Sequence, residues 1–363
     1  MKTLHVETGR HLYGGPQQVL YLLGALRDEG VGATLVCPPA SEIAAAAREK
    51  NIDVREIDCG GDLDLRFVWR LRAVLRELKP DLVHCHSRRG ADMLGGQAAA
   101  MESIPAVVSR RVDNPEPGLL ASLRYRKFAR IVAISNAIRD VLIDTGVTPE
   151  RIEVIRSTVD TACFAHGQTR EAMLREFDLP DDARVIASGA QFIERKGHRY
   201  LLEAAALLRR SMPQLRVLLF GKGPLEAELR RLSADLGLDA CVQFVGFRDD
   251  LDDYLGTFDL LVHTALAEGL GVITLKAAAA GLPVVAFAAG GVKEAVADGE
   301  SGVLVAPGDS QALASALGAL LHDNERREAY ARNSRRHAEQ FSIAAMVAAH
   351  LRLYRDIASG GAQ

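Results

Sequence analysis

The chain has 363 residues, 48% hydrophobic and 25% charged, which is enough for two domains of common size. Its 44 Lys and Arg against 47 Asp and Glu leave a formal charge of -3, which excludes a dedicated nucleic-acid binder. Five scattered cysteines without a Cys-x-x-Cys pair exclude a disulfide framework or zinc ribbon. No segment reaches the roughly 18 apolar residues of a membrane span, and MKTLHVETGRH lacks a signal-peptide core. A cytosolic protein is expected, with any membrane contact peripheral. Basic character is local, since residues 66–130 hold thirteen Lys and Arg against six acids. That excess suits an anionic acceptor, an anionic membrane or simply solvated helix faces.

In chain order, short apolar runs alternate with longer amphipathic ones, the pattern of a parallel sheet covered by helices. Strands are predicted at 3–7, 33–37, 54–57, 81–85, 106–109, 131–134 and 152–155, with helices at 16–28, 65–78, 91–101, 119–126 and 136–144. The alternation then lapses across DTACFAHGQTREAMLREFDLPDDA, residues 160–183. A second series follows, with strands at 185–188, 215–220, 242–245, 260–263, 284–286 and 302–305. Its helices are predicted at 200–211, 225–236, 251–256, 272–280 and 311–322. Two such series predict two Rossmann-like, doubly wound α/β domains, 1–165 and 166–342, facing a cleft. Residues 343–363 hold an amphipathic helix expected to pack back across the junction.

Ligands of such sheets bind outside the carboxyl ends of the strands, so the loops there carry the chemistry. Gly14 and Gly15 follow the first strand and open a helix, where backbone amides meet an anion or merely form a tight turn. Gly221, in Phe220-Gly221-Lys222-Gly223-Pro224, has the same form. Gln191 to Gly197 places Arg195 and Lys196 after a strand, where cations suit a phosphate. Phe247 and Arg248 follow another strand and are placed to flank a nucleobase. Glu268-Gly269-Leu270-Gly271 precedes a helix whose positive end favours a diphosphate. An acid beside a phosphate site makes sense when it accepts hydrogen bonds from sugar hydroxyls. Together these signals point to a nucleotide-sugar site.

His84 and His86 share one strand face in HCHS, open to metal binding, acceptor contact or a structural role, with no third ligand evident. Arg88, Arg89, Arg110 and Arg111 follow strand ends and are expected to read phosphate or carboxylate on an acceptor. No Asp-x-Asp metal clamp stands in a fitting place, so neither metal nor cofactor is expected.

The segments GGPQQVLYLLGALRDEG, DLVHCHS, IVAISNAIRDVLIDTGV, RIEVIRSTVD, ERKGHRYLLEA, LLFGKGPLEAELRRL, VGFRDDLDDYLGTFDLLVHTALAEGLGVITLKAAAAGLPVVA, AAGGVKEAV and DGESGVLVAPGD, in this order, resemble retaining glycosyltransferase family 4, with the GT-B fold. The resemblance covers nearly the whole chain. It implies a donor in the carboxyl-terminal domain, with Lys196 on the diphosphate and Glu268 on the transferred sugar's hydroxyls. The backbone of Leu270, Gly271, Val272 and Ile273 would support sugar and phosphate, with Gly14 and Gly15 opposite. His86, Arg110 and Arg111 would face the acceptor. Family habit suggests a hexose or heptose on UDP, GDP or ADP and a bacterial envelope saccharide as acceptor. Retention of anomeric configuration, front-face attack and independence of metal come with the resemblance.

Four departures stand out. Gln191 occupies the place of an arginine that many members use to neutralise the leaving diphosphate. Arg156-Ser157-Thr158-Val159-Asp160 replaces Pro-Asn-Gly-Val-Asp. The Arg110-Arg111 pair replaces a histidine, and Lys276 replaces the second of two glutamates, the one that accepts from the ribose. Lys276 pairs with phosphate or Glu268, leaves ribose recognition indirect, or faces solvent. The alternatives to a transferase are a catalytically silent nucleotide-sugar-binding protein, suggested by Gln191 and Lys276, and a nucleotide-sugar epimerase.

Overall fold

A computed structural model describes residues 1–88, 90–113 and 116–360. Backbone contacts divide the chain into two units, Met1–Thr158 with Ile343–Gln363, and Val159–Ser342. The first unit therefore ends ahead of the boundary expected at 165/166, and the carboxyl-terminal helix belongs to it.

The first unit holds strands β1 (Lys2–Val6), β2 (Gly32–Cys37), β3 (Asp53–Glu56), β4 (Leu82–Cys85), β5 (Ala106–Arg110), β6 (Arg130–Ala133) and β7 (Ile152–Val154). They form one parallel sheet in the order β3-β2-β1-β4-β5-β6-β7. Its helices are α1 (Gly14–Asp28), α2 (Glu42–Glu49), α3 (Leu65–Leu78), α4 (Gly96–Met101), α5 (Gly118–Tyr125) and α6 (Asn136–Asp144). The second unit holds β8 (Arg184–Gly189), β9 (Leu215–Phe220), β10 (Val242–Gly246), β11 (Leu260–His263), β12 (Val284–Phe287) and β13 (Gly302–Val305) in the parallel order β10-β9-β8-β11-β12-β13. Around them lie α7 (Arg170–Glu176), α8 (His198–Leu208), α9 (Glu226–Asp235), α10 (Leu251–Tyr254), α11 (Val272–Ala280), α12 (Val292–Ala295), α13 (Ser310–His322) and α14 (Asn324–Ala338). The chain closes with α15 (Ile343–Gly360) in the first unit.

The strands read as continuous apolar runs because both faces are covered, the condition a parallel sheet requires. Strand β9 illustrates it, with Val217, Leu218 and Leu219 in succession all fully buried. Strand order reverses between β1 and β4, and again between β8 and β11. These are the switch points at which the loops diverge and leave a crevice. The loops after β1, β4, β8 and β11 are thus the ones the topology offers to a ligand.

Helix α15 joins the first unit through Met346, Val347, Leu351 and Tyr354, which pack with Leu22 and Leu26 of α1 and with Val107 and Val132 of the sheet. Tyr354 is fully buried, and its hydroxyl is 2.6 Å from His84 Nδ1 on β4. Gln18 of α1 holds the far end of the unit, donating to Thr158 O at 2.8 Å and accepting from Thr158 N at 2.6 Å. Removing the buried Tyr354 hydroxyl strands a ring nitrogen of His84. Tyr354→Phe is expected to cost about 1–3 kcal/mol in urea unfolding. An unchanged midpoint would show that the hydroxyl does not secure α15.

Candidate functional site

In the second unit, the loops after β8 and β11 are stitched together by their backbones. Leu266 N donates to Arg195 O at 2.8 Å, and the Thr264 hydroxyl donates to Lys196 O at 3.0 Å. Gly197 makes this approach possible, because its φ is +62° and a Cβ there would lie 2.2 Å from Thr264 O. On the other side Gly290 has φ +50°, and a Cβ would lie 2.1 Å from Glu268 O. Both positions accept only glycine without backbone displacement.

This packing sets Glu268 between two cation-forming side chains. Lys196 Nζ donates to Glu268 Oε2, and His263 Nε2, from the end of β11, lies 3.1 Å from the same oxygen. Burial would raise the Glu268 carboxyl, but the His263 hydrogen bond and the Lys196 charge outweigh it and hold the group well below the usual carboxylate range. The site therefore keeps a charged acceptor in a largely dry place. Beside it, α11 begins at Gly271 with no side-chain cap and no acidic residue in its first turn. Its free amides and positive dipole end are available to an anion. Leu270 and Gly271 are buried here, and Val272 and Ile273 half-buried.

The other residues expected around a donor divide. Gln191 and Arg195 are exposed on the same loop as Lys196. Phe247 is 54% exposed, with Lys222 Nζ 5.1 Å from its ring centroid. Arg248 is committed to Asp250 at 2.7 and 2.6 Å and to Glu176, and these hydrogen bonds push its guanidinium up. Gly221, with φ +150°, serves close backbone approach to Ala190 O. Lys276 neither pairs with Glu268 nor points away alone; its Nζ donates to Asp252 Oδ2 of α10 at 2.6 Å.

The first unit gathers a second cluster where β1, β4 and β5 end. His5 stands opposite His84 in the β1–β4 register, and His5, His84 and His86 are all buried. Their ligand-capable nitrogens lie within 4.8 Å of one another, so β1 supplies the third imidazole that the sequence alone did not reveal. His5 Nδ1 is 2.9 Å from His86 Nε2, and His5 Nε2 is 2.9 Å from the Thr3 hydroxyl. His84 spans Tyr354 and Ser109, the latter at 2.8 Å. Burial lowers all three, His5 to about 3, and the neighbouring imidazoles lower them further. Neutral rings can alternate donor and acceptor along such a chain. His86 Nδ1 is left with no hydrogen-bond partner among the described residues.

Arg111 approaches the same place, since a Cβ on Gly15 would lie 3.7 Å from Arg111 Cδ. Burial brings its guanidinium down to about 10, opposed by the carboxylate of Glu7, whose own pKa is raised by burial. Gly14 and Gly15 lie inside α1 as its first residues, and α1 has no side-chain cap. Arg110 is turned to structure instead. It pairs with Glu116 at 2.7 Å, and Glu116 also takes Arg88 and Arg124, while Arg124 reaches Asp92 at 2.5 Å. Arg89 lies outside the described residues. Sequence reading missed His5, His263, Glu7 and Asp252. The signal that flagged His84 and His86, a histidine ending a parallel strand, would also have found His263.

Two loops thus hold a charged acceptor beside a bare helix start, on a doubly wound unit paired in sequence with another. Residues 169–337 match Glycosyl transferases group 1, and residues 13–162 match Glycosyltransferase Family 4. The chain belongs to this glycosyltransferase family and has the GT-B fold. It is 29% identical over 360 residues to the lipopolysaccharide core biosynthesis glycosyltransferase LpsE of Rhizobium meliloti, covering 97% of this chain and 98% of that one. It is 35% identical over 312 residues to a D-inositol 3-phosphate glycosyltransferase of Corynebacterium kroppenstedtii, covering 80% of this chain and 63% of that one. Among solved structures, Anabaena HepE in complex with UDP superposes with a TM-score of 0.87 at 21% identity, over 98% of this chain and all of the other.

Glu268 gives a pH test. Its folded pKa is depressed, so its contribution to stability is present above the unfolded value of about 4.3 and fades as the pH falls through that value toward the folded one. Glu268→Gln should therefore be less stable than the native chain at pH 7, with the gap narrowing only as the pH falls below about 4. A gap that is constant with pH would mean that the carboxylate is not held charged by its partners.

Proposed function

We propose that the chain transfers a hexose or heptose, with retention, from a nucleotide-diphosphate sugar to a saccharide or lipid-linked acceptor of the bacterial envelope, without a metal. The observation that carries this reading is the meeting of Lys196 and Glu268 beside the uncapped start of α11. The nearly full-length likeness to a lipopolysaccharide core transferase supports the acceptor class, and the Anabaena HepE complexes with UDP and UDP-glucose support the donor class.

In this reading Glu268 accepts hydrogen bonds from hydroxyls of the transferred sugar, which take up part of the role of its present partners. Lys196 then turns charge toward the diphosphate, with Arg195 near and the α11 amides facing the same oxygens. The bond from the anomeric carbon to the diphosphate oxygen breaks, and a bond to the acceptor oxygen forms on the same face. The acceptor's proton passes to the departing phosphate oxygen. The chain's share is position and stabilisation of developing negative charge. Gln191 adds no charge, so Lys196 carries more of that task than in relatives with an arginine there. Arg111, Gly15 and His86 form the acceptor side, working at the cytoplasmic face of the membrane.

The direct test is thermal shift against UDP-, GDP- and ADP-sugars, followed by product analysis. One donor should raise the melting temperature, with an effect near 2.7 kcal/mol at a hundred times Kd. Glu268→Ala should lose sugar discrimination, and Lys196→Ala should cut turnover on the order of a hundredfold. Absence of binding by every nucleotide sugar would sink the reading, binding without transfer to any acceptor would favour the silent binder, and an inverted product would remove retention.

Metal independence has its own check, sharpened by the three imidazoles. Prolonged chelation should leave turnover unchanged. Loss of turnover restored by zinc would assign His5, His84 and His86 as ligands instead.

A further inference from the structure

We infer that the outer face of α3 and α5 is a docking surface for an anionic phospholipid bilayer. Among the described residues no helix is long and apolar enough to cross a membrane, yet Leu63 is 93% exposed, Leu65 69% and Trp69 62%. Leu65 and Trp69 are one turn apart and share a helix face, with Leu63 just ahead of them. Burial of this face against the unit is already complete on the other side through Phe67, Val68, Leu71 and Leu75. The exposed apolar groups are therefore not a core that failed to close. Residues of this type at a helix surface lie at the boundary of headgroups and acyl chains.

Charge selects the occupant. The acids beside the patch are engaged: Asp62 accepts from Gly90 N, Asp64 pairs with Arg70, and Glu77 pairs with Arg55. Arg66, exposed next to Leu65, has no ion-pair partner among the described residues. The pattern recurs on α5, where Leu120 and Leu123 are 53% and 42% exposed. Arg126 and Lys127 follow directly, also without ion-pair partners among the described residues. Right-handed crossovers place the helices that follow β3, β4 and β5 on one sheet face, so α3 and α5 share it. The Arg124–Asp92 ion pair ties α5 to the segment that leads into α4, which packs on α3. Apolar groups beside unpaired cations, repeated on two helices of the same sheet side, suit a negatively charged bilayer rather than a neutral one.

Trp69 is the only tryptophan of the chain, so its emission reads this surface directly. With vesicles containing phosphatidylglycerol, emission should shift to shorter wavelength and the protein should float with the lipid. Phosphatidylcholine vesicles should do neither, and 0.5 M salt should reverse the effect. Arg66→Ala and Arg126→Ala should each weaken partitioning about fivefold, the factor of about 1 kcal/mol per basic residue at an anionic surface. Leu65→Asp should abolish the shift while circular dichroism stays native. Three results would overturn the assignment: no shift with either vesicle, an equal shift with both, or a lipid-free, concentration-dependent shift that Leu65→Asp removes, which would make the face a contact between copies.

Discussion

Glu268 is a carboxylate kept charged where burial alone would neutralise it. Its partners come from two places far apart in sequence, Lys196 after β8 and His263 at the end of β11, so the site exists only when the second sheet has closed at its switch point. The cost of burying an ion is offset only by partners at good geometry. Lys196 and His263 together hold this carboxylate beside the start of α11.

Lys276 extends that logic along α11. An ammonium group only donates hydrogen bonds, where a carboxylate would accept them. The lysine instead fixes Asp252, a carboxylate from the neighbouring α10, by a 2.6 Å hydrogen bond. Acidic character is thereby kept in the neighbourhood but moved to another helix and held partly neutralised. The pair is partly exposed, so its worth to stability is small; its consequence is where an acceptor group sits.

The fold was legible because its signal is repeated. Buried parallel strands such as Leu215–Phe220 are uninterrupted apolar runs, and each is followed by a loop and an amphipathic helix. Helix α2, short and alanine-rich, escaped despite its buried Ile43, Ala44 and Ala47, and two others escaped for want of a clear apolar period. Helix α14, NERREAYARNSRRHA, buries little beyond Tyr330, Ser334 and Ala338, and α7 falls in the polar stretch read as a junction. Lys196 and Glu268 stand out in the sequence because each lies beside a glycine turn after a strand. Their pairing does not, since nothing in a sequence separation of seventy-two residues says that two loops touch. The same limit hid His5, whose partner His84 is fixed by β-sheet register and not by spacing.

The arginines of the first unit show how composition misleads when partners are unseen. Arg88, Arg110 and Arg124 look like a cationic surface in a linear count, but they converge on Glu116 and Asp92 and form a largely buried network. Such a network is expensive to break, because removing one member leaves an uncompensated charge. It therefore ties together the loops after β4 and β5. Arg111, one residue further on, has no such carboxylate at hydrogen-bond distance among the described residues; Glu7 acts on it only through its charge. Adjacent residues of the same type thus take different surroundings, Arg110 at the end of β5 pairing with Glu116 and Arg111 approaching Gly15 at the start of α1.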